Sequence, residues 1–545
     1  MVDAVTQSKG FSEEKEYSFL EHLCSLDIDT PQVKMPHMTS IIATVGPACD
    51  DIEVLKDMIK AGVNIFRLVM AYGDRYSYHS RFITNIRQVS NELLTNHSPV
   101  GIAIDIAGPE VRLGKLKPEL GREIFFKHRS VVRISYDSEN TNNMDDSFLY
   151  IDQQKLIDYA KVDSIIVIED GPLSLMVVDK ELQLQKSTLI CEVIEEGLLG
   201  NRQTCHMKGM PDMYELSDND KNDLKFALDE KVDMVFMSLV SDRKVVELAR
   251  DFLRERGKSI KIISKIENYK GVKNINDIIS VSDGIIISRG NLGISIKPEK
   301  LFKAQKMITG LANIAGKSVT CASQMLESMT IHPRPTRAEA GDVANSVLDG
   351  IDCVMLSSET AKGKYVIQSI KTLVQICREA EGAMFAYQFM KDLSTISDFC
   401  LSKEEATALA AVKGAISCEA KAIVVVTSSG KSAALISRYR PRCIVIAVTR
   451  SPITARQLHL YRGVLPVIDQ SPVTGFWEKD YNLGIKKAFE NAVERGFLKV
   501  KDRVMLYLRG IGERSPHKGG RAYLLETVDT VKSGAKKIHP VSSVE

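Results

Sequence analysis

From Ser40 onward the chain repeats one pattern: a short apolar run followed by an amphipathic stretch. The opening units read SIIATVG, then DDIEVLKDMIKAG, then NIFRLVM, which is strand, helix, strand. The rhythm returns in VDMVFMSLV, SIKIISKIEN, DGIIISRGNLG, KSVTCASQMLE and DCVMLSS. Alternating units of this kind favour a parallel sheet covered by helices, and eight of them close a (β/α)8 barrel.

The repeat is interrupted and then followed by different textures. Between Leu113 and Met213 the chain breaks into short alternating segments such as SVVRISY, DSIIVIED and STLICEVIEE, the signature of an inserted small β-barrel domain. After Glu381 a helical stretch leads into AIVVVTSSGKSAALISRYRP, CIVIAVT and VLPVID, a separate C-terminal α/β domain. The expected organisation is an N-terminal segment at 1–38, the barrel at 39–112 and 214–385, the insert at 113–213 and the C-terminal domain at 386–545. A chain of 545 residues suits several domains rather than one.

Charge and cysteine usage narrow the partners. Lys plus Arg number 72 against 70 Asp plus Glu, so the net charge of +2 gives no drive toward nucleic acid or membrane. The ten cysteines stand singly with no CxxC pair, which fits a reducing compartment. The first residues, MVDAVTQSKGFSEEKEYSF, carry acids where a signal peptide needs an apolar core, and no later apolar run reaches membrane-spanning length. A cytoplasmic protein with a small-molecule partner is expected.

In a βα barrel the reactive groups sit at the carboxyl ends of the strands. IISKIEN places Lys265 and Glu267 there, facing one way because residues two apart on a strand share a face. Such a pair could stabilise a transferring phosphoryl group and hold a divalent cation, or form a buried salt bridge. The run ending in SRGNLG could open a helix whose amides receive an anion, or form a simple turn. SVTCASQMLES offers the Ser323 hydroxyl at another strand end.

Taken in order, these segments resemble the pyruvate kinase signatures. SKIEN resembles the family's catalytic lysine segment, SRGNLGI its Arg-Gly-Asp-Leu-Gly turn and CASQMLESM its threonine segment; PRPTRAEAGDVANSVLDGIDCVMLSSETAKG is similar to the stretch that follows. IIATVGPA, AGVNIFRL and IDIAGPEVR resemble the opening barrel strands, and the likeness runs from about Phe19 to Val504. The resemblance implies transfer of phosphate from phosphoenolpyruvate to ADP, giving pyruvate and ATP, by a homotetramer. It gives Lys265, Arg67 and Ser323 catalytic roles, and puts Gly290 and Asn291 with them at the substrate. Thr44, Arg67, Arg112, Lys208 and Asp170 fall to the nucleotide. Glu267 and Asn291 fall to magnesium or manganese, and Asp105 and Ile106 to potassium. The loop Thr427, Ser428, Ser429, Gly430, Lys431 and Ser432 resembles the family's sugar-bisphosphate effector pocket; a polar turn capping a helix is the alternative.

Several positions depart from the family pattern. In RLVMAYG, Val69 and Ala71 replace the asparagine and serine that help coordinate potassium, and Ala107 supplies no internal charge in its place. Asn291 replaces the aspartate that shares the divalent cation with Glu267, removing one negative charge. Ser295 replaces a glutamate, CHMKGMPDMYEL has lost most of the family wording, Gly484 falls where effector-binding relatives carry an arginine, and RGIGERSPHKGG does not follow their final loop. Two readings stand: a pyruvate kinase with altered cation requirements, and a non-catalytic relative kept for binding or assembly.

Overall fold

The computed structural model describes residues 18–29, 36–109, 111–121, 123–168, 173–182, 187–207, 216–396, 401–511 and 520–528. Eight parallel strands close a barrel in chain order: β1 (Ser40–Thr44), β2 (Val63–Val69), β3 (Gly101–Ile106), β4 (Met234–Met237), β5 (Lys261–Ile266), β6 (Gly284–Ser288), β7 (Ser318–Ala322) and β8 (Cys353–Leu356). β8 returns to β1 with Ser40 opposite Cys353 and Ala43 opposite Leu356. Strands buried on both faces need no polar alternation, which is why they read as continuous apolar runs. Ile42, Ile65, Phe236, Ile263, Ile286 and Met355 point into the lumen, while their neighbours pack under the helices.

Local signals set the helix ends. Asp51 caps helix Ile52–Ala61 by accepting from Glu53 N at 2.9 Å, and Gly62 ends it with φ of 124°. Leu55, Met58 and Ile59 form the buried stripe between. Thr336 and Glu339 cap helix Arg337–Leu348 reciprocally, the two backbone amides donating at 2.7 and 3.2 Å.

The insert leaves the barrel after β3 and is mostly β, with one short α-helix, Gln154–Tyr159. Its seven-stranded sheet includes Val111–Arg112, Ile165–Ile168, Leu173–Leu182, Ser187–Glu195 and Thr204–Met207, with a two-stranded sheet of Glu123–Phe126 and Gly197–Gly200 beside it. It has its own apolar core, centred on Val132, Ile134, Leu175, Val177, Leu189 and Val193. The C-terminal sheet runs β11-β10-β9-β12-β13, from β9 (Ala422–Val426), β10 (Ile444–Thr449), β11 (Val464–Ile468), β12 (Arg503–Ile511) and β13 (Gly520–Thr527). Only the β12–β13 pair is antiparallel. No helix among the described residues is long and apolar enough to cross a membrane.

The C-terminal domain closes the barrel at the amino ends of its strands. Arg456 Nε lies 2.8 Å from Asp233 Oδ1, just before β4; Gln457 Nε2 donates to Asp233 O at 2.9 Å, and His459 Nε2 meets Pro99 O at 2.8 Å, just before β3. Leu460 joins the lumen layer. Arg440 and Asp352 form the deepest contact, Nη1 to Oδ1 at 2.5 Å, and Arg440 also donates to Gly350 O at 2.8 Å. Both side chains are buried, so losing one partner leaves the other charged and dry. With this end plugged, the opposite rim is the one open to a substrate. Arg440→Leu is expected to destabilise the barrel by about 3–5 kcal/mol, read as a shifted urea midpoint; an unchanged midpoint would show that the domain contact is marginal.

Candidate active site

The open rim gathers charge from β2, β3 and β5, with the Thr44 hydroxyl from β1 beside it. Parallel register sets Thr44 beside Arg67 and Val69 beside Asp105, so the ends of three consecutive strands share a level. Asp105 is the hub. Its Oδ2 accepts from Arg67 Nε at 2.6 Å, and its Oδ1 accepts from Lys265 Nζ at 3.2 Å and from Ser238 Oγ at 3.1 Å. Burial works against ionisation of Asp105, but Arg67 and Lys265 outweigh it and hold the carboxyl below its ordinary range.

Lys265 and Glu267 do face the same way. Nζ lies 3.5 Å from Glu267 Oε1 and donates to Ser238 Oγ at 2.8 Å. The other Glu267 oxygen accepts from Leu239 N at 2.6 Å, at a residue with φ of 54°. Asn291, third residue of the short helix Arg289–Ser295, donates its amide Nδ2 to Glu267 Oε1 at 3.1 Å. The four rim charges therefore cancel, Arg67 and Lys265 against Asp105 and Glu267, and the asparagine adds none. Gly290 sits beside it, half-buried. Ser295 is exposed, and its hydroxyl accepts from Tyr269 N at 2.9 Å.

Ser323 follows β7 in the left-handed region, φ 72°, and Gln324 continues there at 54°. Two successive residues without glycine's freedom need support. Arg289 provides it: Nη2 donates to Ser323 O at 2.7 Å and to Gln324 O at 3.0 Å, and Nη1 pairs with Asp342 Oδ2 at 2.6 Å. Sequence reasoning missed Arg289, reading its segment as a helix opening whose amides receive an anion or as a simple turn. An arginine closing an apolar strand was the available signal. Ser238 was also missed, since an isolated serine after an apolar run carries no pattern.

The potassium positions lack ligands of their own. Val69 ends β2 and Ile106 ends β3, with Ala71 and Ala107 just beyond. None of these side chains has an oxygen, and both Asp105 oxygens are already taken by cationic donors. These side chains give a potassium ion no oxygen, which leaves only the Ile106 backbone carbonyl to coordinate one. Glu267 and Asn291 fit a divalent cation better: they meet side chain to side chain, and a turned amide would set its carbonyl oxygen beside the carboxylate. Among the described residues no three His, Cys, Asp or Glu side chains gather into a metal site, so such a cation depends on substrate oxygens for the rest of its shell.

Of the residues expected at the nucleotide, Thr44 is buried and occupied: its hydroxyl donates to Leu356 O at 2.8 Å and accepts from Arg67 Nη1 at 3.1 Å. Arg112 donates to Arg202 O at 2.9 Å and lies 5.4 Å from the Tyr72 ring centroid. Asp170 and Lys208 lie outside the described residues. In the C-terminal domain, Thr427 Oγ1 accepts from Gly430 N at 3.0 Å, and Gly430, φ 78°, precedes helix Lys431–Arg438. A Cβ on Gly484, within helix Trp477–Glu494, would come within 3.2 Å of Val426, so this second helix packs closely on β9.

Fold and rim together define a (β/α)8-barrel protein with two cations and two carboxylates paired at its strand ends. The family model for the pyruvate kinase barrel domain matches residues 36–370, and that for the pyruvate kinase alpha/beta domain matches 405–515. The chain is 43% identical to human pyruvate kinase PKLR over 493 residues, covering 90% of this chain and 85% of that one. It is 39% identical to the Schizosaccharomyces pombe pyruvate kinase over 492 residues, 89% and 94% of the two chains. It is 37% identical to the Candida albicans enzyme over 500 residues, 91% and 98%. The chain belongs to the pyruvate kinase family.

Proposed function

We propose that this chain transfers the phosphoryl group of phosphoenolpyruvate to ADP, giving pyruvate and ATP, with altered cation requirements. The observation that carries the reading is the Lys265 ammonium fixed between Asp105 and Glu267, with Arg67 on the same carboxylate. In this reaction the bond from phosphorus to the enol oxygen breaks and its electron pair stays on that oxygen. Phosphorus bonds to a terminal oxygen of ADP, and the enolate takes a proton at its methylene carbon.

Lys265 lies where a fixed positive charge serves both the moving phosphoryl group and the enolate, and its ion pairs remove the cost of orienting it during reaction. Arg67 holds the phosphate. Ser323 offers a hydroxyl near the carbon to be protonated, on a turn clamped by Arg289. Gly290 and Asn291 line the substrate. Glu267 and Asn291 would hold magnesium or manganese, which would supply positive charge to offset that of the phosphate and the enolate. Arg112, Thr44, Asp170 and Lys208 serve the nucleotide, the insert covers the cleft, and Thr427–Ser432 receives a sugar bisphosphate. The family likeness also carries a homotetramer and a cytoplasmic location.

One observation favours a second reading. Asn291 donates to the oxygen of Glu267 that a cation would need, so the rim is neutral and satisfied without metal. A non-catalytic relative kept for binding or assembly would tolerate this. A lactate dehydrogenase-coupled assay across magnesium, manganese and potassium concentrations separates the two: turnover with any cation supports the kinase, and none with all of them supports the second reading.

Lys265→Met is expected to lower turnover on the order of a hundredfold or more, with an unchanged rate removing the lysine from the mechanism. Activity is expected to respond weakly to potassium, because Asp105 is already neutralised by Arg67 and Lys265; strong activation that sodium cannot reproduce would contradict this.

A further inference from the structure

The helix that follows the insert, Asp218–Asp229, carries two buried carboxylates, Asp220 and Asp223, spaced so that they share one face. Asp220 Oδ2 accepts from Ser217 N at 3.0 Å and from Ser217 Oγ at 2.7 Å, which caps the helix. That cap uses one oxygen. The other, Oδ1, reaches outside the helix and accepts from Gly108 N at 2.9 Å, just beyond Asp105 and the end of β3. Asp223 Oδ1 accepts from Arg75 Nε at 2.6 Å, and Arg75 follows β2. One helix face therefore grips the segments after β2 and β3, the two strands that bring Arg67 and Asp105 together at the rim.

Gly108 is where this grip meets the site. It lies in the left-handed region at φ 66°, and a Cβ there would come within 2.7 Å of Ser238 O, so its backbone rests directly against Ser238. Ser238 Oγ accepts from Lys265 Nζ at 2.8 Å and donates to Asp105 Oδ1 at 3.1 Å. We propose that Asp220 is a positioning residue for Lys265: by holding the Gly108 amide it fixes the turn after Asp105 against Ser238, and so sets two of the groups that aim the ammonium. A charge serves a transition state best when it is fixed beforehand, and a displacement of about 1 Å costs on the order of a hundredfold in rate. The inference rests on the role of Lys265 in the proposed function.

The test separates positioning from capping. Ser217→Ala removes the capping hydroxyl and keeps the Gly108 contact; it is expected to lower the urea midpoint while kcat stays within about twofold. Asp220→Ala is expected to lower kcat about tenfold or more with KM for phosphoenolpyruvate nearly unchanged, the pattern of an interaction lost in the transition state. Asp220→Asn, which keeps an acceptor for Gly108 N, is expected to recover most of that rate. Trace labelling of lysines with acetic anhydride gives a readout that needs no turnover. Lys265 is expected to react at least about threefold faster in Asp220→Ala than in the natural chain, because a buried amine with loosened partners meets the reagent more often; exposed Lys258 is the reference. Equal Lys265 labelling in the two forms overturns the inference, and so does an equal loss of rate in Ser217→Ala and Asp220→Ala. Should Asp220→Ala not fold, Gly108→Ala takes its place, since its Cβ displaces Ser238 with Asp220 intact; faster Lys265 labelling supports the inference and unchanged labelling overturns it. A labelling shift in a chain without turnover supports positioning and overturns the kinase reading; turnover with no labelling shift does the reverse.

Discussion

The Asp105 carboxylate is buried at the end of β3, and burying a carboxylate is costly unless cations meet it. Arg67 and Lys265 do so from the neighbouring side of the barrel and from further round it, and each is thereby aimed at the open rim. The stability of this part of the barrel and the placement of its two rim cations are one interaction. The same arrangement explains the potassium positions: with both carboxylate oxygens already in charged contacts, Val69 and Ala71 have no cation to help hold. Asn291 follows the same logic, because an aspartate would leave the rim one negative charge in excess, whereas the amide leaves it balanced.

Two supports let that rim stay open. The C-terminal domain seals the opposite end through Arg440, Arg456 and His459, filling the lumen from below with Leu460. On the rim itself, Arg289 ties two left-handed residues of the next βα unit, fixing Ser323 at the price of one buried guanidinium paired with Asp342. Packing below and clamping above leave substrate chemistry to side chains that do not have to move far.

The barrel was legible because strands buried on both faces print as unbroken apolar runs, and the insert because one-sided burial prints as alternation, as in Ser187–Glu195. The shared face of Lys265 and Glu267 followed from a period of two. Contacts across the barrel were not legible. Asp105 meets partners on β2 and β5, and Arg289 acts on a turn after β7; nothing local in either segment encodes the meeting. Nor does a sequence say which way an amide faces, so the Asn291 donation to Glu267 came only with the structure. The roles of Asp170 and Lys208 lie outside the described residues.

The central claim is that a single carboxylate and an amide now do the work of two carboxylates at the divalent site. Titrating magnesium against turnover for the natural chain and Asn291→Asp tests it most directly. The account predicts a lower half-saturating magnesium concentration in Asn291→Asp, with the larger gain in rate at limiting metal. Identical half-saturating concentrations in two active forms would contradict it, and would reduce Asn291 to a residue that completes the turn after Gly290.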